Sequence, residues 1–335
     1  MTRQTMIGSI HGSSGSQENS VTYVEFYRMP GGNLLFTYRQ GGSGSGYMVL
    51  NRWNVTTKTW SRVHTRVVDG SMMNPQHSPY WQLYLDVQGT LHLSWVFRRT
   101  SDVRTNAHMY YAYSEDEGVT WRRKSNGSAY TLPITPRTTG NDAAEKVWDI
   151  PEDSNLMNQT NMTADKDGNP YILTYFGRPT MQYRVIYHDG TEWKISQVSN
   201  RTTNDDAVRN PNGTVPFLSG GGTMRVPIAR PRMVTRYNET SGKTEAYFIF
   251  RCDERDAKVS MYSTQDISTN VWTVRDLTNF TVNLWEPSHD TELWKNHGKL
   301  HLFVQYTDGL GDGGDLNTGA GTPTAEAYCL EVGLD

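Results

Sequence analysis

Residues 114–121 read Ser-Glu-Asp-Glu-Gly-Val-Thr-Trp, the Ser-x-Asp-x-Gly-x-Thr-Trp spelling of the Asp-box. The chemistry of this string is local. Asp116 offers a short carboxylate that can accept backbone N–H groups across a tight hairpin turn, and Gly118 tolerates the positive φ such a turn requires. Trp121 supplies an apolar anchor that pins the turn back onto its sheet. All three roles are architectural, so the string predicts a hairpin and gives Asp116 a structural job rather than a catalytic one.

Outward from the box, one pattern recurs: a strand, a turn containing Gly, a second strand rich in β-branched and aromatic residues, then a polar loop. Copies of the second strand lie at 33–39 (NLLFTYR), 90–95 (TLHLSW), 170–176 (PYILTYF), 245–251 (EAYFIFR) and 299–306 (KLHLFVQY). Their turns hold Gly32, Gly89, Gly168, Gly242 and Gly298, and the hairpins that follow carry Trp60, Trp121, Trp193 and Trp272 on their far strands. Runs of this length, with no helical periodicity, argue for an all-β repeat. A period of roughly 55–80 residues suits one four-stranded blade plus long loops. With the Asp-box, the repeat implies a β-propeller of four-stranded antiparallel blades, of which five blade-like units are visible. A closed five-blade ring and a larger ring lacking its first blades both fit. Residues 1–20 read as a polar N-terminal segment and 21–335 as a single propeller domain.

The 335 residues carry 32 basic and 35 acidic side chains, a net charge of −3, so there is no polybasic footprint for nucleic acid. No stretch is long and apolar enough to span a membrane. Aromatic content of 11%, with 10 Trp and 19 Tyr, suits blade packing and sugar stacking, which points to a carbohydrate or another small polar ligand. Cys252 and Cys329 could pair with each other but provide no disulfide framework and no zinc site. Asn-x-Ser/Thr sequons at Asn54, Asn126, Asn158, Asn161, Asn200, Asn212, Asn238 and Asn279 suggest a secreted or extracellular glycoprotein, although Met1 to Ser20 lacks the apolar core of a signal peptide. The Gly-rich runs at 41–46 and 219–222 lack the Lys-Ser/Thr of a phosphate loop and follow no βαβ unit, which excludes nucleotide binding.

Strand direction sorts the loops. If each second strand runs away from its Gly turn, then Arg39, Arg98, Arg178 and Arg251 arrive at the opposite end. Tyr183, Arg201, His77, Asn106, His108, Asn158, Gln159, Arg230, Arg232 and residues 286–290 fall there too. A rigid scaffold bearing polar loops is where binding and catalysis concentrate. Glu286, His289 and Asp290 read as a loop-bracing network or an acid/base cluster. Asp308, Asp312 and Asp315 are oxygen ligands of the sort calcium prefers, without the spacing of an EF-hand.

Several strings resemble one family: TYRQGGSGSG (37–46), LHLSWVFR (91–98), TNAHMYYAYSEDEGVTW (105–121), NQTNMTADKDGNP (158–170), LSGGGTMRVPIARPR (218–232) and WEPSHDTELW (285–294). They are similar, in order and from about Val21 to the C-terminus, to BNR-repeat propellers that include polysaccharide lyases. The members to compare are the ulvan lyases and the L-rhamnose-α-1,4-D-glucuronate lyases, whose propellers are seven-bladed. The resemblance implies β-elimination at a uronate in an acidic polysaccharide or oligosaccharide. A base removes the C5 proton, O4 leaves and is protonated, and a guanidinium neutralises the carboxylate and so stabilises the enolate-like intermediate. Arg suits that task because its planar fork matches a carboxylate and stays charged.

What the resemblance implies for individual residues is Tyr183 as proton donor or base and Arg201 as carboxylate neutraliser, with His77 as a further candidate base. Replacing Tyr183 with Phe should then abolish product. Arg39, Arg98, Asn106, His108, Asn158, Gln159, Arg230, Arg232 and His289 are the expected sugar contacts. The chemistry requires no cofactor, and a structural calcium is the one metal to consider. Related lyases also carry paired histidines, one in an Asp-x-His-Asn string and one at the end of the next strand; here the corresponding strand ends Phe97-Arg98. Two other classes therefore stand beside the lyase: a sialidase-like glycoside hydrolase and a non-catalytic propeller that binds acidic glycan.

Overall fold

The computed structural model describes residues 20–207, 227–307 and 326–334. The Gly run at 219–222, the sequon at Asn212 and Asp308, Asp312 and Asp315 lie outside them, as does the polar N-terminal segment up to residue 19. The fold is an all-β propeller fold of antiparallel blades. It divides into two compact units, Met1–Ser101 with Thr105–Pro151, and Asp102–Arg104 with Glu152–Asp335, where the repeat alone suggests one domain over 21–335.

The first unit holds two blades. One is β1 (Val21–Arg28), β2 (Leu34–Gln40), β3 (Tyr47–Asn54) and β4 (Thr59–His64); the other is β5 (Ser78–Leu85), β6 (Leu91–Arg98), β7 (Asn106–Ser114) and β8 (Lys146–Trp148). In both, neighbours in sequence are neighbours in the sheet. Every residue of β6 is buried, which is why LHLSWVFR reads as a continuous apolar run instead of an alternating one. Leu35, Met48 and Leu50 of the first blade pack with Trp81, Leu93, Trp95 and Phe97 of the second. Each such side chain contributes about 1.5–3 kcal/mol on burial.

Trp121 joins the same core at 1% exposure. The turn before it is held by its own side chains. Ser114 Oγ donates to Asp116 Oδ1 at 2.8 Å and accepts from the Gly118 N–H at 2.9 Å, while Asp116 Oδ1 accepts from the Thr120 N–H at 2.7 Å. Gly118 sits at φ +81°, and a Cβ there would lie 2.4 Å from Leu50 Cδ2, so this position needs glycine twice over. Trp121 does not begin the outer strand, as the repeat suggests. A single bridge joins Arg122 to Tyr113, and the chain reaches the outer strand only at β8.

The second unit holds three blades. They are β9 (Asn161–Ala164), β10 (Pro170–Phe176), β11 (Gln182–His188) and β12 (Trp193–Gln197); β13 (Arg232–Asn238), β14 (Lys243–Phe250), β15 (Lys258–Thr264) and β16 (Thr273–Thr281); and β17 (Ser288–His289), β18 (Leu300–Gln305) and β19 (Ala327–Val332). The last sheet has three strands among the described residues. One departure from an all-strand reading precedes β18: Asp290 caps a seven-residue helix, α1 (Thr291–His297), through its side chain. Gly298, read from sequence as a hairpin turn, is that helix's left-handed C-cap. Two cores form between blades, Leu173, Tyr175, Tyr183 and Val185 against Phe248 and Phe250, and Val234, Tyr247 and Ile249 against Leu300, Leu302 and Val304. Cys252 is buried, Cys329 is exposed, and both are free thiols. No helix among the described residues is long and apolar enough to cross a membrane.

Candidate functional site

In the second unit the two residues singled out for catalysis are part of the framework. Tyr183 is second in β11, with no exposed surface, edge-on to Tyr175, Phe248 and Phe250. Its hydroxyl lies 2.8 Å from the Ala229 carbonyl and 3.0 Å from that of Arg251, and burial holds the phenol well above its ordinary pKa. A proton donor or base must reach the sugar, and this hydroxyl is spent inside the core. Arg201 is similarly engaged. It forks onto Asp205 through Nη1 (2.8 Å) and Nη2 (2.9 Å), donates to Asp253 at 2.8 Å and to the Met181 carbonyl at 2.9 Å. Burial works against the charge, but the bonds and charges of Asp205 and Asp253 outweigh it and raise the guanidinium pKa further. A cation already matched by two carboxylates is poorly placed to neutralise a third, and in this structure Tyr183 and Arg201 brace the blades.

The other candidates of this unit are also engaged in bracing. Arg230 Nη1 donates to both oxygens of Glu286 at 2.9 and 3.0 Å, and Arg232 Nε donates to the Pro287 carbonyl at 3.0 Å. Arg251 reaches the Trp285 carbonyl, and Arg178 pairs with Asp153 and Asp206. His289 lies in β17, where burial first and Arg232 second push it down to about 4, leaving it neutral near pH 7. Asn158 is 5% exposed; its amide nitrogen donates to Gln159 Oε1 at 2.9 Å, and its Oδ1 is enclosed without a partner. Glu286, His289 and Asp290 serve three separate ends, and no cluster of metal-binding side chains occurs among the described residues.

The first unit is organised differently. Arg98 ends β6, Asn106 begins β7 and Ser78 begins β5, and the register pairs Arg98 with both. Ser114 and the box lie at the far end of β7, opposite Leu91. Arg98 Nε donates to Asn106 Oδ1 at 2.8 Å, and Nη1 donates to the Tyr80 hydroxyl at 3.1 Å and to Ser43 Oγ at 3.4 Å. Its guanidinium lies over the Tyr80 ring, 4.1 Å from the centroid, and that of Arg39 lies 5.1 Å from the same centroid. His77 immediately precedes β5, half-buried and edge-on to Phe97. Its Nδ1 lies 2.9 Å from the Pro75 carbonyl, an acceptor for a proton on Nδ1. The Nδ1 of His108, the other histidine of this end, lies 3.0 Å from Asp149 Oδ1.

Sequence reasoning brought His77, Arg39, Arg98 and Asn106 to this end but passed over Tyr80 and Ser43. Tyr80 lies in an apolar strand and Ser43 in a run of glycines, and only their meeting with the two arginines marks them.

Guanidinium, imidazole, amide and phenol groups thus meet at one strand end of the first unit. The chain belongs to the BNR repeat-containing family, whose model matches residues 4–201. It is similar to the ulvan lyase, long isoform, of Glaciecola sp. (strain KUL10), 32% identical over 122 residues. The counterpart from Pseudoalteromonas sp. (strain PLSV) is 28% identical over 123 residues. Each match covers 34% of this chain and 12% of the relative's length. Among solved structures, the polysaccharide lyase Uly1 superposes with a TM-score of 0.58 at 19% identity, over 92% of this chain and 59% of that one. A PL25 ulvan lyase bound to -[GlcA(1-4)Rha3S]- gives 0.56 at 11% identity, over 94% and 67%. At these identities the superpositions establish the fold.

Proposed function

We propose that the chain is a secreted polysaccharide lyase that cleaves a glucuronate-containing glycan, such as a rhamnosyl-glucuronate linkage, by β-elimination. The observation that carries this reading is the first-unit cluster: His77, its Nδ1 on the Pro75 carbonyl, one residue before the Ser78–Arg98 pair, with Arg98 held in place by neutral Asn106, Tyr80 and Ser43 groups. The sequence similarity to ulvan lyases supports the same chemistry. His77 Nε2 takes the C5 proton, the electrons of that bond form C4=C5 as the C4–O4 bond breaks, and the proton carried by His77 serves the departing O4. The positive field of the Arg98 guanidinium, itself 2% exposed, stabilises the charge that spreads onto the substrate carboxylate in the intermediate. No cofactor enters the step.

The test is incubation with ulvan and with a glucuronan while following near-ultraviolet absorbance, since elimination creates a conjugated double bond and hydrolysis does not. Absorbance should grow with wild type and be lost with His77→Ala. Chain cleavage without absorbance would replace the lyase by a glycoside hydrolase. The burial of Tyr183 and Arg201 favours one second reading, a propeller that binds acidic glycan without turnover; binding with no cleavage after long incubation would establish it.

A further inference from the structure

Within the second unit, the blades β9–β12 and β13–β16 pack closely along their inner strands, where Tyr183 and Val185 meet Phe248 and Phe250. Their outer strands are unequal: β12 has five residues and β16 nine. A cavity of about 440 Å³ lies between these outer parts, walled by the end of β12, the segment after β14, and side chains of β15 and β16. That size falls within the roughly 300–1,000 Å³ of small-molecule sites.

One wall is aromatic and fixed from behind. The Tyr262 ring stacks on Phe250, centroids 4.6 Å apart, and Trp272 meets Phe248 edge-on while its Nε1–H donates to Ser196 Oγ at 3.0 Å. Both rings are nonetheless only half-buried. The rest of the lining is polar, with hydrogen-bonding capacity that the described residues leave unused. The Tyr262 hydroxyl bonds none of them. Asn200 and Asn270 each accept through Oδ1, from Gln197 at 3.4 Å and from Ser196 at 2.6 Å, which leaves both amide NH2 groups to donate elsewhere. Glu254 spends Oε1 on the N–H groups of Thr202 and Thr203 and keeps Oε2 as an acceptor. The cations of the lining are matched, Arg201 by Asp205 and Asp253, and Arg255 by Asp276 at 2.7 Å. An anion would thus meet the Glu254 carboxylate without gaining an unmatched cation. A rigid aromatic wall beside amide, hydroxyl and carboxylate groups suits a ligand with one C–H face and several hydroxyls.

We propose that this cavity is an accessory saccharide subsite that takes a neutral pyranose unit, its C–H face on Tyr262 and Trp272 and its hydroxyls on Asn200, Asn270 and Glu254. Its role, holding polymer while elimination proceeds, rests on the reading of the chain as a polysaccharide lyase; the subsite itself is read by binding. Saturation-transfer NMR titration of the full chain with methyl α-L-rhamnoside and methyl β-D-glucoside, and with methyl β-D-glucuronoside as the acidic counterpart, tests it. Wild type should bind at least one neutral glycoside, with transfer concentrated on the protons of one ring face. Tyr262→Phe removes a hydroxyl that no described residue bonds, and Asn200→Ala changes an exposed position, so both should melt as wild type does. Each should weaken the neutral glycoside at least threefold and leave any glucuronoside binding unchanged; Trp272→Ala should abolish neutral binding. With ulvan as substrate, Tyr262→Phe should raise KM several-fold at unchanged kcat. Failure of wild type to bind either neutral glycoside, or unchanged affinity in folded Tyr262→Phe and Asn200→Ala, overturns the subsite. An unchanged KM for polymer overturns its holding role. Neutral binding that responds to these variants in a chain that yields no unsaturated product would uphold the subsite and remove the lyase.

Discussion

Arg39 lies near the end of β2 and Arg201 four residues past the end of β12, and each is almost wholly buried, at 6% and 5% exposure. Their partners differ. Arg201 meets Asp205 and Asp253, whereas Arg39 meets a threonine hydroxyl and two aromatic faces. The same side chain in similar burial is thus a finished structural element in one unit and an unfinished electrostatic arrangement in the other. Burial alone does not distinguish bracing from binding; the charge of the partners does.

The largest effect expected follows from removing the finished one. Arg201→Ala leaves Asp205, whose side chain is 2% exposed, without its matching cation. Breaking a buried pair in this way costs about 3–5 kcal/mol, so urea unfolding should show a midpoint far below wild type. Arg39→Gln removes a charge that no carboxylate among the described residues matches and should cost much less. Equal losses in the two variants would break the comparison.

Next comes Arg98. Arg98→Ala removes the positive charge proposed to act on the substrate carboxylate and should lower turnover about 10²–10³-fold per folded molecule, the usual range for loss of a group that stabilises developing negative charge. If product formation per folded molecule is preserved, Arg98 is another brace and belongs with Arg201.

Tyr183→Phe sharpens the same line at a neutral residue. The Ala229 carbonyl loses a hydroxyl partner, while that of Arg251 keeps the Ala229 N–H, and an unmet buried acceptor costs about 1–3 kcal/mol. Melting temperature should fall while the rate of product formation at low temperature is kept. A catalytic tyrosine would give the opposite pattern, full stability and no product.

The strands and turns were legible because their causes are local. Gly32, Gly89, Gly168 and Gly242 all take positive φ, and the apolar run of β6 is apolar because both faces are covered. Where a cause is nonlocal the reading faltered. Nothing near Gly298 in sequence distinguishes a hairpin turn from a helix C-cap; the difference is the Asp290 side chain folding onto the Leu293 N–H. Likewise Arg201 and Arg39 look alike along the chain. Asp205 is four residues from Arg201 and could have been noticed, but Asp253 is distant, and that no carboxylate among the described residues meets Arg39 is visible only in three dimensions. Strand direction told which end carries the arginines and left open which of them are engaged.

The smallest expected effect concerns an internal anion, the mirror image of Arg201. Asp86 lies in the turn between β5 and β6; its Oδ1 accepts the N–H groups of Gln88 and Thr90, and its Oδ2 lies 3.0 Å from His92 Nε2, whose Nδ1 lies 2.7 Å from the Tyr111 hydroxyl. Burial on its own would raise the carboxyl pKa, but the His92 bond and charge, then the Thr90 and Gln88 N–H groups, outweigh it and hold the folded pKa below the ordinary 3.8. The folded state therefore binds this proton less readily than the unfolded state. Its contribution to stability is complete above the unfolded pKa and is lost as pH falls through the folded one. Melting temperature measured from pH 6 down to pH 3 should drop less steeply in Asp86→Asn than in wild type, because the amide keeps the turn's acceptor and removes the titration. An identical acid slope in both proteins would mean that Asp86, unlike Arg201, is not coupled to its partner through charge, and that this turn is held by its backbone bonds alone.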